Sequence, residues 1–235
     1  MGSVRLGYPD ADMLRSVVLD RMQTPDGEEL ILHRRGDVYT LRLGGWELMS
    51  SRAHGSEQAL AERPLAQLEG PRRREPRVLV GGLGMGFTLR ALLDALPVSR
   101  AEVVVAEVFP AVVAWNRGPL AHLARQPLND PRVRVLEEDV TAVIERSRGR
   151  FDLVLLDVDN GPEALTLASN RRLYGPAGLA AIRRALVRGG VLAVWSADPA
   201  PEFGKVLRQA GFGVTTETVR AHRNKGLHHT LFLAR

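Results

Sequence analysis

Three glycines and a short series of acids are the residues of this chain whose types and spacing could do chemistry. Gly82, Gly84 and Gly86 follow an apolar run in VLVGGLGMGFTLR (78–90). Glycine suits a turn that must reverse within a few residues and lets a ligand approach bare backbone. Glu107 stands 25 residues past Gly82, at the end of AEVVVAEVF. There a carboxylate offers two acceptor oxygens to the two hydroxyls of a ribose diol, or caps the helix that Pro110 begins. Asp139 ends RVRVLEEDV, where it accepts from an adenine amino group or serves as the N-cap before Thr141. Asp157, Asp159 and Asn160 end FDLVLLDVDNGP. An acid closing so apolar a run faces a ligand or holds a structural bond.

Further candidates lie outside that series. His54 and Glu57 stand three apart, the spacing of an acid/base pair if the segment is helical, though a polar helix start at Ser56 explains them as well. His222, His228 and His229 cluster near the C-terminus, yet neighbours on a strand face opposite ways, so no shared metal site is expected. Cysteine is absent, which excludes disulfides and thiolate metal sites. No serine nucleophile elbow occurs.

These groups need elements to hold them. Residues 78–96 read as strand, glycine turn and helix, with Leu89, Leu92, Leu93 and Leu96 at helical spacing. A buried strand at 101–109 and strands at 132–140 and 151–162 follow, then a helix from about Pro176 to Val187 and the strand VLAVWS. GVTTETV and HTLFLAR close the chain. Such alternation predicts an α/β fold, a mostly parallel sheet with helices on both faces, whose ligands bind beyond the carboxyl ends of the strands.

Three parts are expected: a small N-terminal β unit (1–55), a helix and Arg/Pro linker (56–77), and the nucleotide-binding α/β domain (78–235). In the β unit, RSVVLDRMQT, EELILHRR, DVYTLRLG and WELMSS are β-rich runs separated by turn residues. Ile31, Val38, Leu41 and Leu43 read as one apolar face that must be covered, which predicts self-association.

At 235 residues, with 45% hydrophobic and 25% charged content, the chain suits one sizeable domain and an appendage. Its net charge of +5 comes almost wholly from arginine, since Lys205 and Lys225 are the only lysines. The one dense cluster, Arg72, Arg73, Arg74 and Arg77, lies with Pro71 and Pro76 in a linker, so it reads as a solvated connector rather than an anion or RNA contact. MGSVRLGYPDADMLRS lacks a signal-peptide core, and no apolar run has the length of a membrane span, so a cytoplasmic location is expected.

VLVGGLGMGFTLR, AEVF, DPRVRVLEEDV, FDLVLLDVDNGP, RRLYGPAGL and LVRGGVLAVWS, with the β unit and MSSRAHGSEQALAERPL, resemble the spermidine synthase (polyamine aminopropyltransferase) family over roughly residues 15–235. The resemblance implies a Rossmann-like class I methyltransferase fold and an S-adenosylmethionine-type donor, with no metal. By that likeness Gly82, Gly84, Met85 and Gly86 line the nucleotide, Glu107 holds the ribose and Asp139 the adenine. Asp157 sits where the family's acid deprotonates the attacking amine, with Asp159 and Asn160 beside it. A homo-oligomer, dimer or tetramer, is implied too.

The chain departs from the family on the amine side. Met85 stands where the loop usually carries an aspartate, Asn160 where a second amine-binding aspartate is usual, Ser56 (followed by Glu57) in place of a tyrosine, and Trp195 in place of a glutamine. Decarboxylated S-adenosylmethionine and putrescine are rich in positive charge and want carboxylates, so putrescine aminopropyl transfer is in doubt. The expectation is therefore a transferase using S-adenosylmethionine or its decarboxylated form, passing a methyl or aminopropyl group to a small-molecule acceptor, with neither nucleic acid nor membrane as partner. The alternatives are a non-catalytic adenosyl-nucleotide-binding protein on the same scaffold and an NAD-dependent oxidoreductase.

Overall fold

A computed structural model describes residues 15–96, 100–158, 172–221 and 227–235. The chain divides into two compact units, Met1–Arg52 and Ala53–Arg235.

The first unit is an antiparallel meander of β1 (Val17–Gln23), β2 (Glu29–Arg35), β3 (Val38–Leu43) and β4 (Trp46–Ser50). Gly27, Gly36, Gly44 and Gly45 take positive φ at its turns, which explains the turn residues between the β-rich runs. Its buried face is not the set expected. Leu30 pairs with Leu43 and Leu32 with Leu41, and these four are buried together with Tyr39. Ile31 and Val38 fall on the other face, because side chains alternate with period two and Val38 and Leu41 are an odd number of residues apart.

The second unit holds a seven-stranded sheet in the order β10-β11-β9-β8-β5-β6-β7. Its strands are β5 (Arg77–Gly81), β6 (Glu102–Ala106), β7 (Val133–Leu136), β8 (Phe151–Leu156), β9 (Leu186–Ser196), β10 (Val214–Arg220) and β11 (His228–Ala234). β7, β6, β5, β8 and β9 pair in parallel, whereas β11 and β10 run antiparallel at one edge. Every residue of β8 is buried, as a central strand covered on both faces requires. Phe151, Val154 and Leu156 join Leu79, Ile182, Val194 and Phe232 in one core.

Helices α1 (Gly55–Ala66), α2 (Gly70–Arg74), α3 (Phe87–Ala95), α4 (Pro110–Arg117) and α5 (Val140–Arg146) come first. α6 (Pro176–Ala185) and α7 (Pro201–Gln209) follow. Pro64 does not end α1, which runs on to Ala66. The arginine-rich connector is itself the single helical turn α2, in which no residue is buried. α7 was not expected from the sequence, although Pro201 at its start and Phe203 and Leu207 four apart on its buried side are its signature. Among the described residues no helix is long and apolar enough to cross a membrane.

β5 has β6 on one side and β8 on the other, and chain order reverses there. Such a switch point opens a crevice at the carboxyl ends of the strands.

Candidate functional site

The turn from β5 into α3 is built of left-handed backbone. Gly82, Gly84 and Gly86 have φ of 86°, 53° and 81°. At Gly82 an added Cβ would overlap the Asp157 carbonyl oxygen, and at Gly86 it would come within 2.9 Å of Asn116 Oδ1. The glycines are therefore required first by the chain's own packing. Met85, between them, is completely buried.

Glu107, just past β6, is 6% exposed. Its Oε2 accepts from the Leu83 N–H at 2.9 Å and its Oε1 from the Phe109 N–H at 2.9 Å. Burial raises its pKa, and the backbone hydrogen bonds oppose that rise. The N–H groups of Val108 and Gly84 also act on this carboxylate, so the glycine turn and the start of α4 are tied to it through the main chain. Asn116, on α4, braces the same turn: its Nδ2 donates to the Gly84 carbonyl at 2.8 Å and to the Val112 carbonyl at 2.9 Å. Sequence reasoning missed Asn116. Its signal was a polar residue on the buried side of an amphipathic helix.

Asp139 is the N-cap of α5, and its Oδ1 accepts from the Thr141 N–H at 2.7 Å. Its second oxygen is not used by that bond.

Asp157 follows β8, where its N–H donates to the Gly81 carbonyl at 2.9 Å. The Thr88 hydroxyl, in the first turn of α3, donates to Asp157 Oδ2 at 2.6 Å. Glu57, in the first turn of α1, is 7% exposed and accepts from the Ser56 hydroxyl at 2.6 Å. Its pKa is pushed up to about 7, chiefly by burial and then by the Asp157 charge; burial likewise raises Asp157. The two carboxyls thus form one acid pair, in which each disfavours ionisation of the other. The His54 ring stacks on Phe87, centroids 4.4 Å apart, immediately before Thr88. Glu57 is near enough to Asp157 for that charge to act on it.

Asp159 and Asn160 lie outside the described residues, as does His222. Trp195, the last residue but one of β9, has its ring 4.8 Å from that of His229, whose pKa burial lowers. His228 is exposed on the opposite face of β11.

The structure thus gathers the glycine turn and Asp157 into direct contact, sets Glu107 behind the turn, and adds Thr88, Glu57 and Asn116. Asp139 sits at the end of the β7 connection to α5.

No family model matches the chain. It is 29% identical over 198 residues to a polyamine aminopropyltransferase of Mycobacterium tuberculosis, covering 80% of this chain and 36% of that protein. It is also 31% identical over 156 residues to polyamine aminopropyltransferase 1 of Streptomyces coelicolor, covering 63% of this chain and 28% of that protein. The chain spans about a third of the length of these relatives. Among solved structures it superposes on the spermidine synthase of Thermotoga maritima with a TM-score of 0.72 at 18% identity, over 92% of this chain and 72% of that one. A spermidine synthase in complex with the transition state analogue AdoDATO gives 0.71 at 18% identity, over 92% and 71%. The glycine turn, the acids at successive strand ends and the strand order thus stand in a chain that has the methyltransferase-like fold of the spermidine synthases and resembles the polyamine aminopropyltransferases in sequence.

Proposed function

We propose that this chain is a spermidine synthase-like transferase. It holds S-adenosylmethionine or its decarboxylated form over the Gly82–Gly86 turn and passes a methyl or aminopropyl group to a small-molecule acceptor beside Asp157. The observation that carries this reading is the joint between donor turn and acid: Gly82 packs on the Asp157 backbone while Thr88, one turn on, holds the Asp157 carboxyl. Around that joint, the Glu107 carboxylate at the end of β6 stands where a ribose diol would be held, and the second oxygen of Asp139 suits an adenine amino group. The likeness to polyamine aminopropyltransferases supports aminopropyl transfer as the finer version.

The chemistry asks for positioning and one proton acceptor. The acceptor's lone pair attacks the carbon bound to the sulfonium, and the carbon–sulfur bond breaks with its electron pair returning to sulfur as a neutral thioether. The proton released from the acceptor passes to Asp157. A carboxyl whose pKa is raised is a better base once ionised, and a cationic donor or acceptor favours that ionised form. Glu57 supplies the second charge in the absence of an acid at position 85.

One observation favours a second reading. Met85 is an apolar, fully buried residue where the family usually carries an amine-binding acid, which suits a chain that binds an adenosyl nucleotide without turnover.

Calorimetric titration with S-adenosylmethionine, its decarboxylated form, methylthioadenosine and NAD separates these readings. Tightest binding of the decarboxylated donor supports aminopropyl transfer. Equal or tighter binding of the parent points to a methyltransferase or a sensor, and turnover with acceptor amines tells those two apart. Binding of NAD alone overturns the proposal.

A further inference from the structure

The other end of the same strands carries a feature the transferase reading does not use. A cavity of about 520 Å³ opens at the amino-terminal edge of the parallel sheet, walled by Arg77, Glu102, Arg134, Arg146, Arg148 and Arg150. Arg77, Glu102 and Arg134 come from the first or second residues of β5, β6 and β7, Arg146 from the last residue of α5, and Arg148 and Arg150 from the loop into β8. It therefore lies at the strand ends opposite the glycine turn.

The charges around this cavity do not balance. Arg150 meets Glu102 at 2.6 Å, Arg146 meets Glu138 at 2.5 Å, and Arg77 meets the buried Asp152 at 3.5 Å. Five guanidiniums thus line the cavity beside one lining carboxylate, Glu102; Arg148 has no ion pair among the described residues, and Arg134 makes no direct one, its charge acting on Glu138, which Arg146 already holds. Guanidinium forks bind phosphate oxygens two at a time. The volume is that of a small-molecule pocket.

We propose that this arginine-walled cavity is a second ligand site, for a polyphosphorylated small molecule, with Arg134 and Arg148 as its principal contacts. Its shape favours that ligand over nucleic acid. A single strand of RNA is held along a groove with exposed aromatic platforms, whereas the aromatic residue here, Phe151, is 1% exposed and Arg150 lies over its ring. Recognition therefore falls on the phosphates and leaves the rest of the ligand outside.

The test is titration of the full chain at low salt with tripolyphosphate, with ATP and with an oligouridylate, for the native protein and for Arg134→Gln/Arg148→Gln. A control, Arg21→Gln/Arg208→Gln, removes the same charge elsewhere. The expected result is saturable binding of tripolyphosphate and ATP that the cavity variant weakens by roughly tenfold or more. The control should keep native affinity, and methylthioadenosine should bind all three proteins alike. Absence of saturation, equal loss in the control, or tighter binding of oligouridylate than of tripolyphosphate overturns the proposal. If the double variant fails to fold, Arg148→Gln alone gives the same readings, because that residue is exposed in a loop and makes no ion pair among the described residues.

Discussion

Glu57 and Asp157 are buried acids near enough to repel, and each accepts a hydrogen bond from a hydroxyl, Ser56 and Thr88 respectively. A raised carboxyl pKa means that the folded chain holds a proton the unfolded chain has lost. For Glu57 that window runs from 4.5 to about 7, so stability is greatest below it and falls as pH rises through it. Stability without ligand should therefore fall from pH 4.5 to above 7, with about 3 kcal/mol of the fall coming from Glu57, and Glu57→Gln should make the drop in melting temperature smaller. A cationic donor reverses the preference. Decarboxylated S-adenosylmethionine should bind more tightly as pH rises to 7, releasing protons to buffer, whereas methylthioadenosine, which lacks the charge, should show no such dependence. Asp157→Asn should remove turnover by at least about a hundredfold while leaving methylthioadenosine bound. Undiminished turnover would reassign the base.

The elements explain which of these residues could be seen in advance. The glycine turn was legible because an apolar run, glycines and helically spaced leucines all mark one strand, turn and helix. Thr88 and Asn116 were not, because their partners, Asp157 and the Gly84 carbonyl, lie 69 and 32 residues away in sequence. The alternative raised for Asp139, a helix cap, is realised in its bond to Thr141, which leaves its role toward adenine a proposal. Asp139→Ala should cost about 1 kcal/mol by loss of the cap, read as a lower melting temperature, and Asp139→Asn should recover much of that. If the second oxygen also meets adenine, the alanine variant will weaken methylthioadenosine binding as well. Asn116→Ala should loosen the turn and raise the donor Kd by about tenfold with little change in turnover at saturation.

On the scale of the whole molecule, the alternation of strands and helices carried the α/β reading, because periodicity records burial. Which residues of the N-terminal meander share its buried face was misread, since Ile31 and Leu32 are both apolar and only the pairing with β3 decides between them. Trp46 is 80% exposed in the strand after the Gly44-Gly45 turn, and Val17 and Val18 are exposed on the edge strand β1. Self-association remains the expectation: sedimentation at micromolar concentration should give a dimer or larger species, and a monomer would remove it. The contact of Gly82 with the Asp157 backbone has a further meaning for how such a molecule can change. On the proposed reading, it makes the gap between donor and base a fixed gauge, set by two main chains. A lineage in search of a new acceptor cannot widen that gauge by substitution. It can only change the residues around it, as this chain does with Glu57 beside Asp157.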